Sequence, residues 1–258
     1  MHDKDFAVVI PMANEQETFE QFADILKRIL DSLAAGHVYI VIDNVSNDDT
    51  LALSRQLSSR DSRFSTIWAP ENRNVVDAYT RGLKEAYAGG HEAIIEMDGG
   101  LSHDPREIPN FLKELSEGNQ CVFGSRYMPG GRNVRPPMKR AFLSKAGTFL
   151  SNLLLGTKLE DMTSGFEAFD RQVVENILSY RLKSCAHFYQ TEIRYLLRQT
   201  QYKEIPITYR SPSHSISGKA IRNSIYCLSY YFLLRILGRP SSLITDPSQI
   251  DAAKGCSR

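Results

Sequence analysis

The sequence predicts an α/β fold built on a largely parallel, doubly wound sheet. Short apolar runs that indicate strands occur at 6–10, 38–42, 65–68, 93–97 and 120–123, and segments with helical periodicity separate most of them. Strands that alternate with helices favour parallel pairing, with helices packed on both faces of the sheet. At 258 residues, the chain is long enough to bury the core of one such domain.

The helices are predicted from the spacing of apolar residues between these runs. At 15–33, apolar residues recur every three or four positions, which buries one face of a helix. The segments 50–57 and 75–87 have a similar pattern. Farther along, 206–209 has the composition of a late strand, and 221–237 that of an apolar, aromatic helix.

The composition is that of an ordinary globular protein, with 42% apolar and 24% charged residues. A formal net charge of +1 gives no overall field for nucleic acid, so we expect no nucleic-acid partner. The four cysteines have no CxxC spacing, which suits a reducing compartment. No run approaches about 20 apolar residues, and the N-terminus lacks the pattern of a signal peptide. We therefore expect a cytoplasmic protein.

One acidic residue lies at the end of the fourth strand-like run. The apolar segment 93–97 leads directly into Asp98, and two glycines then begin a turn. A carboxylate at the end of a buried strand is costly unless a charged or hydrogen-bonding group meets it, and a metal-bound phosphate meets this need. Asn14 and Asp43 follow two other strand-like runs. Because the carboxyl ends of parallel strands share one edge of a sheet, we expect a ligand site there.

The segment from Asp98 to Pro105 resembles the Asp-x-Asp-x-Ser-His-x-Pro signature of dolichol-phosphate (polyprenyl-phosphate) mannosyltransferases, which are inverting glycosyltransferases of family 2. Gly100 stands in place of the second Asp. Residues 11–15 resemble the family's Pro-x-Tyr-Asn-Glu, and residues 43–50 resemble its Asp-Asp-x-Ser-x-Asp-Gly-Thr. The resemblance implies a GT-A-type fold in a single domain.

The resemblance also implies a nucleotide-diphosphate-sugar donor and a divalent cation, Mg²⁺ or Mn²⁺. The implied cation ligands are Asp98 and Ser102, and Glu96 and Asp104 are candidate substitutes for the missing acid. Asp104 is equally expected to cap the helix that follows it. The residues implied in binding the nucleotide sugar are Pro11, Ala13, Glu15, Asp43 and Asp98.

A second group of matches concerns the acceptor. Ser125 and Arg126 belong to a Gly-Ser-Arg-Tyr match, and Arg140 begins an Arg-x-x-x-Ser match. In relatives that act on polyprenyl phosphate, these arginines hold the acceptor phosphate. A guanidinium suits this role because it stays charged and offers a planar fork of donors. Lys219, in a shifted version of the family's last signature, is a further phosphate-binding candidate.

Asp161 begins a close match to the family's Asp-x-Thr-Ser-Gly-Phe, and with Asp98 and Arg126 it completes the implied catalytic residues. It would orient the acceptor, or act as a general base if the acceptor were a hydroxyl. A phosphate acceptor is already an anion and needs no base. Gln190 and Glu192 are candidates for the acceptor side, and a surface helix charge is the alternative for Glu192.

Short polar residues after strands also cap helices, so capping is the alternative role for Asn14 and for Ser46 or Asn47. Asp77 is expected to start the helix at 75–87. These alternatives stay open at the level of the sequence.

The sequence therefore predicts a glycosyltransferase that moves a sugar with inversion, by one in-line displacement, to a polyprenyl phosphate. We expect a catalytic domain at 1–240, with the acceptor-side elements in 128–240, and a flexible tail at 241–258. The helix at 221–237 is expected to meet the cytoplasmic face of a membrane or a membrane protein, or to pack on its own domain. Two alternatives remain: transfer to a sugar hydroxyl in cell-surface polysaccharide synthesis, and a nucleotide-sugar-binding protein with little turnover.

Overall fold

The computed structural model describes residues 5–134, 138–210 and 217–239, without the side chains of Lys139 and Arg140. The strands in chain order are β1 (Phe6–Pro11), β2 (His37–Ile42), β3 (Phe64–Trp68), β4 (Ala93–Glu96), β5 (Cys121–Ser125), β6 (Arg132–Val134), β7 (Glu167–Asp170), β8 (Tyr202–Pro206) and β9 (Thr208–Arg210). The helices are α1 (Gln16–Leu33), α2 (Thr50–Arg60), α3 (Val75–Ala88), α4 (Ile108–Ser116), α5 (Met138–Leu155), α6 (Arg171–Ser179), α7 (Phe188–Leu196) and α8 (Gly218–Ile236). The predicted tail at 241–258 lies outside the described residues.

Seven strands form one sheet in the order β3-β2-β1-β4-β7-β5-β8, and β6 pairs with β9 in a second, two-stranded sheet. In the large sheet β7 runs antiparallel to its neighbours β4 and β5, and the other pairs are parallel. The predicted α/β fold with a largely parallel sheet is therefore confirmed. The strand order reverses between β1 and β4, which is where open sheets of this type bind their ligands.

The core lies on both faces of this sheet, because alternate residues of a strand point to opposite sides. In β1, Val8 and Ile10 pack with α1, α2 and α4, whereas Ala7 and Val9 pack with α3, α6 and α7. The continuous apolar run of β1 is explained by this burial on two sides.

Two segments differ from the sequence prediction. The strand expected at 206–209 is divided, because β8 ends at Pro206 in the large sheet and β9 begins at Thr208 in the small one. Ile207 lies at this corner, and its backbone N–H donates to the Ser125 carbonyl oxygen at 3.0 Å. The strand β7 and the helix α6 were not predicted, because β7 has four residues and begins and ends with an acid.

Helix α3 lies very close to the sheet at Gly82. A Cβ atom added there would lie 2.2 Å from Cγ1 of Val9 and 3.2 Å from Cγ2 of Val41. Both valines are buried β-branched residues in neighbouring strands, so neither side chain has space to move aside. The approach of helix and sheet therefore requires glycine at this position.

We expect Gly82→Ala to destabilise the protein by about 1–3 kcal/mol, because the added methyl group overpacks the core. The matched control is Gly218→Ala, since a Cβ atom at Gly218 meets no atom within 4 Å. Urea denaturation measures both free energies of unfolding. Equal stability of the two variants would contradict the close packing of α3 on the sheet.

Candidate active site

A cavity of about 500 Å³ opens at the carboxyl edge of the sheet. Its polar end is formed by residues that follow β1, β4 and β5, namely Glu15, Asp98, Ser102 and Arg126. Its apolar end lies between two helices, with Leu143 and Leu150 from α5 and Ile221, Ile225 and Leu228 from α8. The cavity therefore has a charged part at Glu15, Asp98 and Arg126, called the charged chamber below, and an apolar part between α5 and α8, called the apolar passage.

Asp98 is held at the polar end by two neighbours. The Tyr79 hydroxyl donates to Oδ1 of Asp98 at 2.5 Å, and the backbone N–H of Asp98 donates to Nδ1 of His103 at 3.0 Å. Complete burial lowers the pKa of His103 to about 4, so this imidazole is neutral at physiological pH. The Asp98 side chain keeps 39% of its surface exposed. One carboxylate oxygen is thus fixed by Tyr79 while the carboxylate as a whole stays accessible from the cavity.

Glu96 lies deeper in the same strand and does not line the cavity among the described residues. The Tyr189 hydroxyl donates to its Oε1 at 2.9 Å, and the ring of Tyr189 stacks on Tyr79. Burial, with the negative charge of Glu167 nearby, raises the pKa of Glu96 well above its usual value. Glu96 is therefore a buried core residue bonded to Tyr189, away from the cavity where a cation would bind.

Asp104, the other candidate substitute, caps the turn at Pro105–Glu107. Its Oδ1 accepts from the backbone N–H of Arg106 at 3.1 Å, and its carboxylate also pairs with the guanidinium of Arg106. The capping alternative is confirmed for this residue.

Gly100 is in the left-handed region, with φ of 65°. A Cβ atom added there would lie 2.1 Å from Oε2 and 2.4 Å from Oε1 of Glu15. The Glu15 carboxylate thus fills the space that a side chain at position 100 would enter. Burial raises the pKa of Glu15, and the carboxylates of Asp48 and Asp98 raise it further against a hydrogen bond from Thr18.

The loops after β1 and β2 are fastened together by Asn14. Its backbone N–H donates to Oγ of Ser46 at 3.1 Å, and its Oδ1 accepts from the backbone N–H of Asn47 at 2.9 Å. The Asp48 carboxylate accepts hydrogen bonds from the first residues of two helices. These are the backbone N–H of Gln16 in α1, at 3.1 Å, and the backbone N–H of Thr50 in α2, at 3.0 Å. The alternative role of Asn14 as a helix cap is therefore wrong, because the carboxylate that accepts from the start of α1 belongs to Asp48 in the neighbouring loop.

The residues expected to bind the nucleotide sugar are only partly brought together. Pro11, Glu15 and Asp98 line the cavity. Ala13 is half-buried and Asp43 is buried at the neighbouring strand ends, and neither is among the described residues that line the cavity. Oδ1 of Asp43 accepts from the backbone N–H of Val45 at 3.0 Å.

Arg126 is locked in place by a buried ion pair with Asp161. Its Nε donates to Oδ2 at 2.7 Å and its Nη2 to Oδ1 at 2.8 Å, and Nη2 also reaches Ser144 and Thr163. Burial alone would raise the pKa of Asp161, but the Arg126 guanidinium holds it below its usual value. Asp161 is fully buried and faces Arg126, so its contact orients the guanidinium at the cavity wall.

The other residues predicted to bind the acceptor phosphate do not line the cavity with Arg126 in the described part of the chain. Ser125 is fully buried, and its hydroxyl accepts from the backbone N–H groups of Tyr127 and Met128. Lys219 is exposed in the first turn of α8 and does not line the cavity. The side chain of Arg140 lies outside the described part of the chain.

Two acidic residues of the second half are unexpectedly buried. Glu192 accepts from the backbone N–H of Ser184 at 2.8 Å and from the Tyr231 hydroxyl, so the alternative of a surface helix charge at this position is wrong. Glu167 forms a fully buried ion pair with Arg194. Gln190 lies at the cavity, as expected for the acceptor side.

Helices α5 and α8 carry many exposed apolar side chains, and the two helices contact each other. Only α8 was predicted as an apolar surface helix. The signal for α5 was the spacing of its aromatic and leucine residues. The most exposed members of this apolar surface, with the residue that follows α8, are Met138, Phe142, Phe149, Leu153, Ile225, Tyr226, Leu233, Ile236 and Leu237. Within the ranges that the structure describes, no helix is long and apolar enough to cross a membrane.

Comparison with known proteins identifies the family. The profile of Glycosyl transferase family 2 matches residues 7–178. The chain belongs to this family. It is therefore a glycosyltransferase, as the sequence predicted.

The names of curated relatives of this glycosyltransferase refer to polyprenyl, undecaprenyl or dolichol phosphates. It is 28% identical to a polyprenol monophosphomannose synthase of Mycolicibacterium smegmatis, over 92% of this chain and 90% of that protein. It is 27% identical to an undecaprenyl-phosphate mannosyltransferase of Micrococcus luteus, over 83% of this chain and 90% of that protein. A dolichol-phosphate mannosyltransferase of Pyrococcus furiosus is 28% identical, over 83% of this chain and 60% of that protein.

Solved structures support the same fold. The glucosyl-3-phosphoglycerate synthase from Mycobacterium tuberculosis, crystallised with Mn²⁺, UDP and glucosyl-3-phosphoglycerate, superposes with a TM-score of 0.65 at 17% identity. The superposition covers 93% of this chain and 82% of that one. At this level of identity, the likeness establishes the GT-A-type fold of the glycosyltransferase.

The cavity has donors that suit a hard divalent cation, although the described residues contain no group of three acidic, histidine or cysteine side chains that could enclose one. Asp98 offers an exposed carboxylate, and Ser102 is 5% exposed with no hydrogen-bond partner for its hydroxyl among the described residues. Oxygen donors of this kind are preferred by Mg²⁺ and Mn²⁺. Such an ion would need further ligands from a bound phosphate or water.

We expect Asp161→Asn to destabilise the glycosyltransferase by about 3–5 kcal/mol, because it leaves the Arg126 charge buried without its partner. The control is Glu71→Gln, which breaks the exposed pair with Arg81 and should change stability by less than about 1 kcal/mol. Urea denaturation of both variants provides the comparison. Similar small losses would show that Arg126 does not depend on Asp161.

Proposed function

We propose that this protein transfers a sugar with inversion from a nucleotide-diphosphate donor to a polyprenyl phosphate. The observation that carries the proposal is the cavity, whose charged chamber continues into an apolar passage between α5 and α8. A polyprenyl phosphate has the same two parts, an anionic head and an apolar chain. The names of the three curated relatives support this acceptor class.

The donor binds at the carboxyl edge of the sheet, where Pro11, Glu15 and Asp98 line the cavity. The leaving nucleoside diphosphate develops negative charge, which a divalent cation such as Mg²⁺ or Mn²⁺ would neutralise. Asp98 and Ser102 are the residues that would hold this cation. Tyr79 keeps the Asp98 carboxylate in one orientation, which reduces the reorganisation needed when the donor binds.

The acceptor phosphate binds at Arg126, which lies at the polar end of the cavity with a guanidinium already oriented by Asp161. An oxygen of the phosphate forms a bond to the anomeric carbon as the bond from that carbon to the diphosphate breaks. The acceptor is already an anion, so no proton has to be removed. Asp161 therefore positions Arg126 and takes no part as a base.

Transfer to a sugar hydroxyl is less consistent with this site. A hydroxyl acceptor needs a general base within hydrogen-bond reach of its proton. Asp161 is the residue that the sequence offered for this task, but it is fully buried in its pair with Arg126. The geometry therefore favours the phosphate acceptor.

The apolar surface of α5 and α8 is the surface that meets the membrane in this proposal. Exposed aromatic and aliphatic side chains on neighbouring helices are suited to the interface between headgroups and acyl chains. The passage lined by Leu143 and Ile225 opens from the cavity between the same helices. The protein would then act as a peripheral protein at the cytoplasmic face of the membrane.

We expect Asp98→Asn to lower kcat for sugar transfer by about 100-fold or more, because it removes the charge that holds the cation. The assay follows transfer of labelled sugar to a short-chain polyprenyl phosphate with Mn²⁺, using a panel of nucleotide-diphosphate sugars with mannosyl donors first. Glu17→Gln is the control, since Glu17 is exposed and outside this cavity. Unchanged turnover in Asp98→Asn would contradict the assignment, and a wild type without turnover would favour a nucleotide-sugar-binding protein.

We expect the double variant Phe142→Ser with Phe149→Ser to bind lipid vesicles at least about tenfold more weakly, because two exposed rings can no longer enter the interface. Sedimentation with vesicles of phosphatidylglycerol and phosphatidylethanolamine measures the affinity. Val45→Ser is the control, because Val45 is 62% exposed on a different part of the protein. Equal sedimentation of the variant and the wild type would exclude this surface as the membrane contact.

A further inference from the structure

The space that an acidic side chain at position 100 would enter is filled by another carboxylate, that of Glu15. The turn after Asp98 places Gly100 at φ of 65°, and the Glu15 carboxylate occupies the position of the absent side chain. A Cβ atom at position 100 would overlap the Glu15 oxygens, so a side chain there would require the Glu15 carboxylate to move. A carboxylate therefore stands beside Asp98 after all, but it comes from the end of β1.

Glu15 is fixed in this position by its neighbours. Its backbone N–H donates to Oγ1 of Thr50 at 2.8 Å, which ties the end of β1 to the start of α2. Its Oε2 accepts from Oγ1 of Thr18 at 3.0 Å. Its Oε1 has no hydrogen-bond partner within 5–134, 138–210 and 217–239, so one oxygen remains for a ligand.

A second observation points to a ligand at the same place. Ser102 is 5% exposed, its side chain lines the cavity with Glu15 and Asp98, and its hydroxyl has no partner in the described part of the chain. The hydroxyl oxygen is accessible from the cavity and is therefore available to a ligand. Two carboxylates and one hydroxyl that face one cavity form a set of oxygen donors suited to a hard cation.

We propose that Glu15 supplies the second carboxylate ligand of the divalent cation, replacing the acid that position 100 lacks. The inference rests on the proposed function, in which Asp98 and Ser102 hold that cation. It assigns Glu15 to the cation rather than to the nucleotide base or ribose.

The test measures Mn²⁺ binding directly, by the loss of the EPR signal of free Mn²⁺, with Mn²⁺ alone and with GDP or UDP added. We expect Glu15→Gln and Asp98→Asn each to weaken Mn²⁺ binding at least about tenfold, since even residues that only support a metal ligand contribute this much. Glu17→Gln, a change two residues farther along in the first turn of α1, should bind within twofold of the wild type.

The two proposals fail in different ways. Mn²⁺ binding that is lost in Asp98→Asn but unchanged in Glu15→Gln would overturn the role of Glu15 and leave the proposed function intact. Binding unchanged in both variants would overturn both. Weaker binding of GDP or UDP to Glu15→Gln without Mn²⁺, together with an unchanged affinity for Mn²⁺, would assign Glu15 to the nucleotide instead.

A rescue variant distinguishes the loss of a cation ligand from a general disturbance of the structure by substitution of Glu15. Glu15→Ala should lose Mn²⁺ binding, and Glu15→Ala combined with Gly100→Asp should regain it, because the space is then free and Asp tolerates a positive φ. Recovery in the double variant supports the proposal. Wild-type affinity in Glu15→Ala alone would overturn it.

Discussion

The placement of one carboxylate at the tip of β4 is the constraint on which the site depends. Asp98 follows β4, which lies between β1 and β7 in the sheet. Its hydrogen bonds with Tyr79 and His103 hold it at the cavity. Burial lowers the pKa of His103 to about 4, so this neighbouring imidazole is neutral at physiological pH and brings no positive charge to Asp98. The cavity is consequently suited to a positive partner, and a cation bound to a diphosphate is one.

The cavity is also lined by a positively charged group, the guanidinium of Arg126. Arg126 is buried, and its ion pair with Asp161 holds two nitrogens of the planar guanidinium. Such a buried pair adds little net stability, and its value here is geometric, because the guanidinium is aimed before any ligand arrives. In the proposed function, the apolar helices α5 and α8 would guide the acceptor to that group.

The fold was largely predictable because the apolar periodicity that defines it is local. The parallel strands and most of the first five helices follow from residues close together in the sequence, whereas β7 is too short and too charged to give a signal. The site was predictable at Asp98 and Arg126, which end apolar runs. The overlap of Glu15 with position 100, the cap from Asp48 and the burial of Glu192 all join residues distant in sequence, and no local pattern encodes them.

The most direct test of the central claim is a crystal structure with Mn²⁺ and a nucleoside diphosphate, with the metal located by its anomalous scattering. We predict one strong anomalous peak at the tip of β4, in direct contact with the carboxylate of Asp98 and next to the diphosphate. A peak elsewhere, or a diphosphate bound away from the carboxyl edge of the sheet, would contradict it.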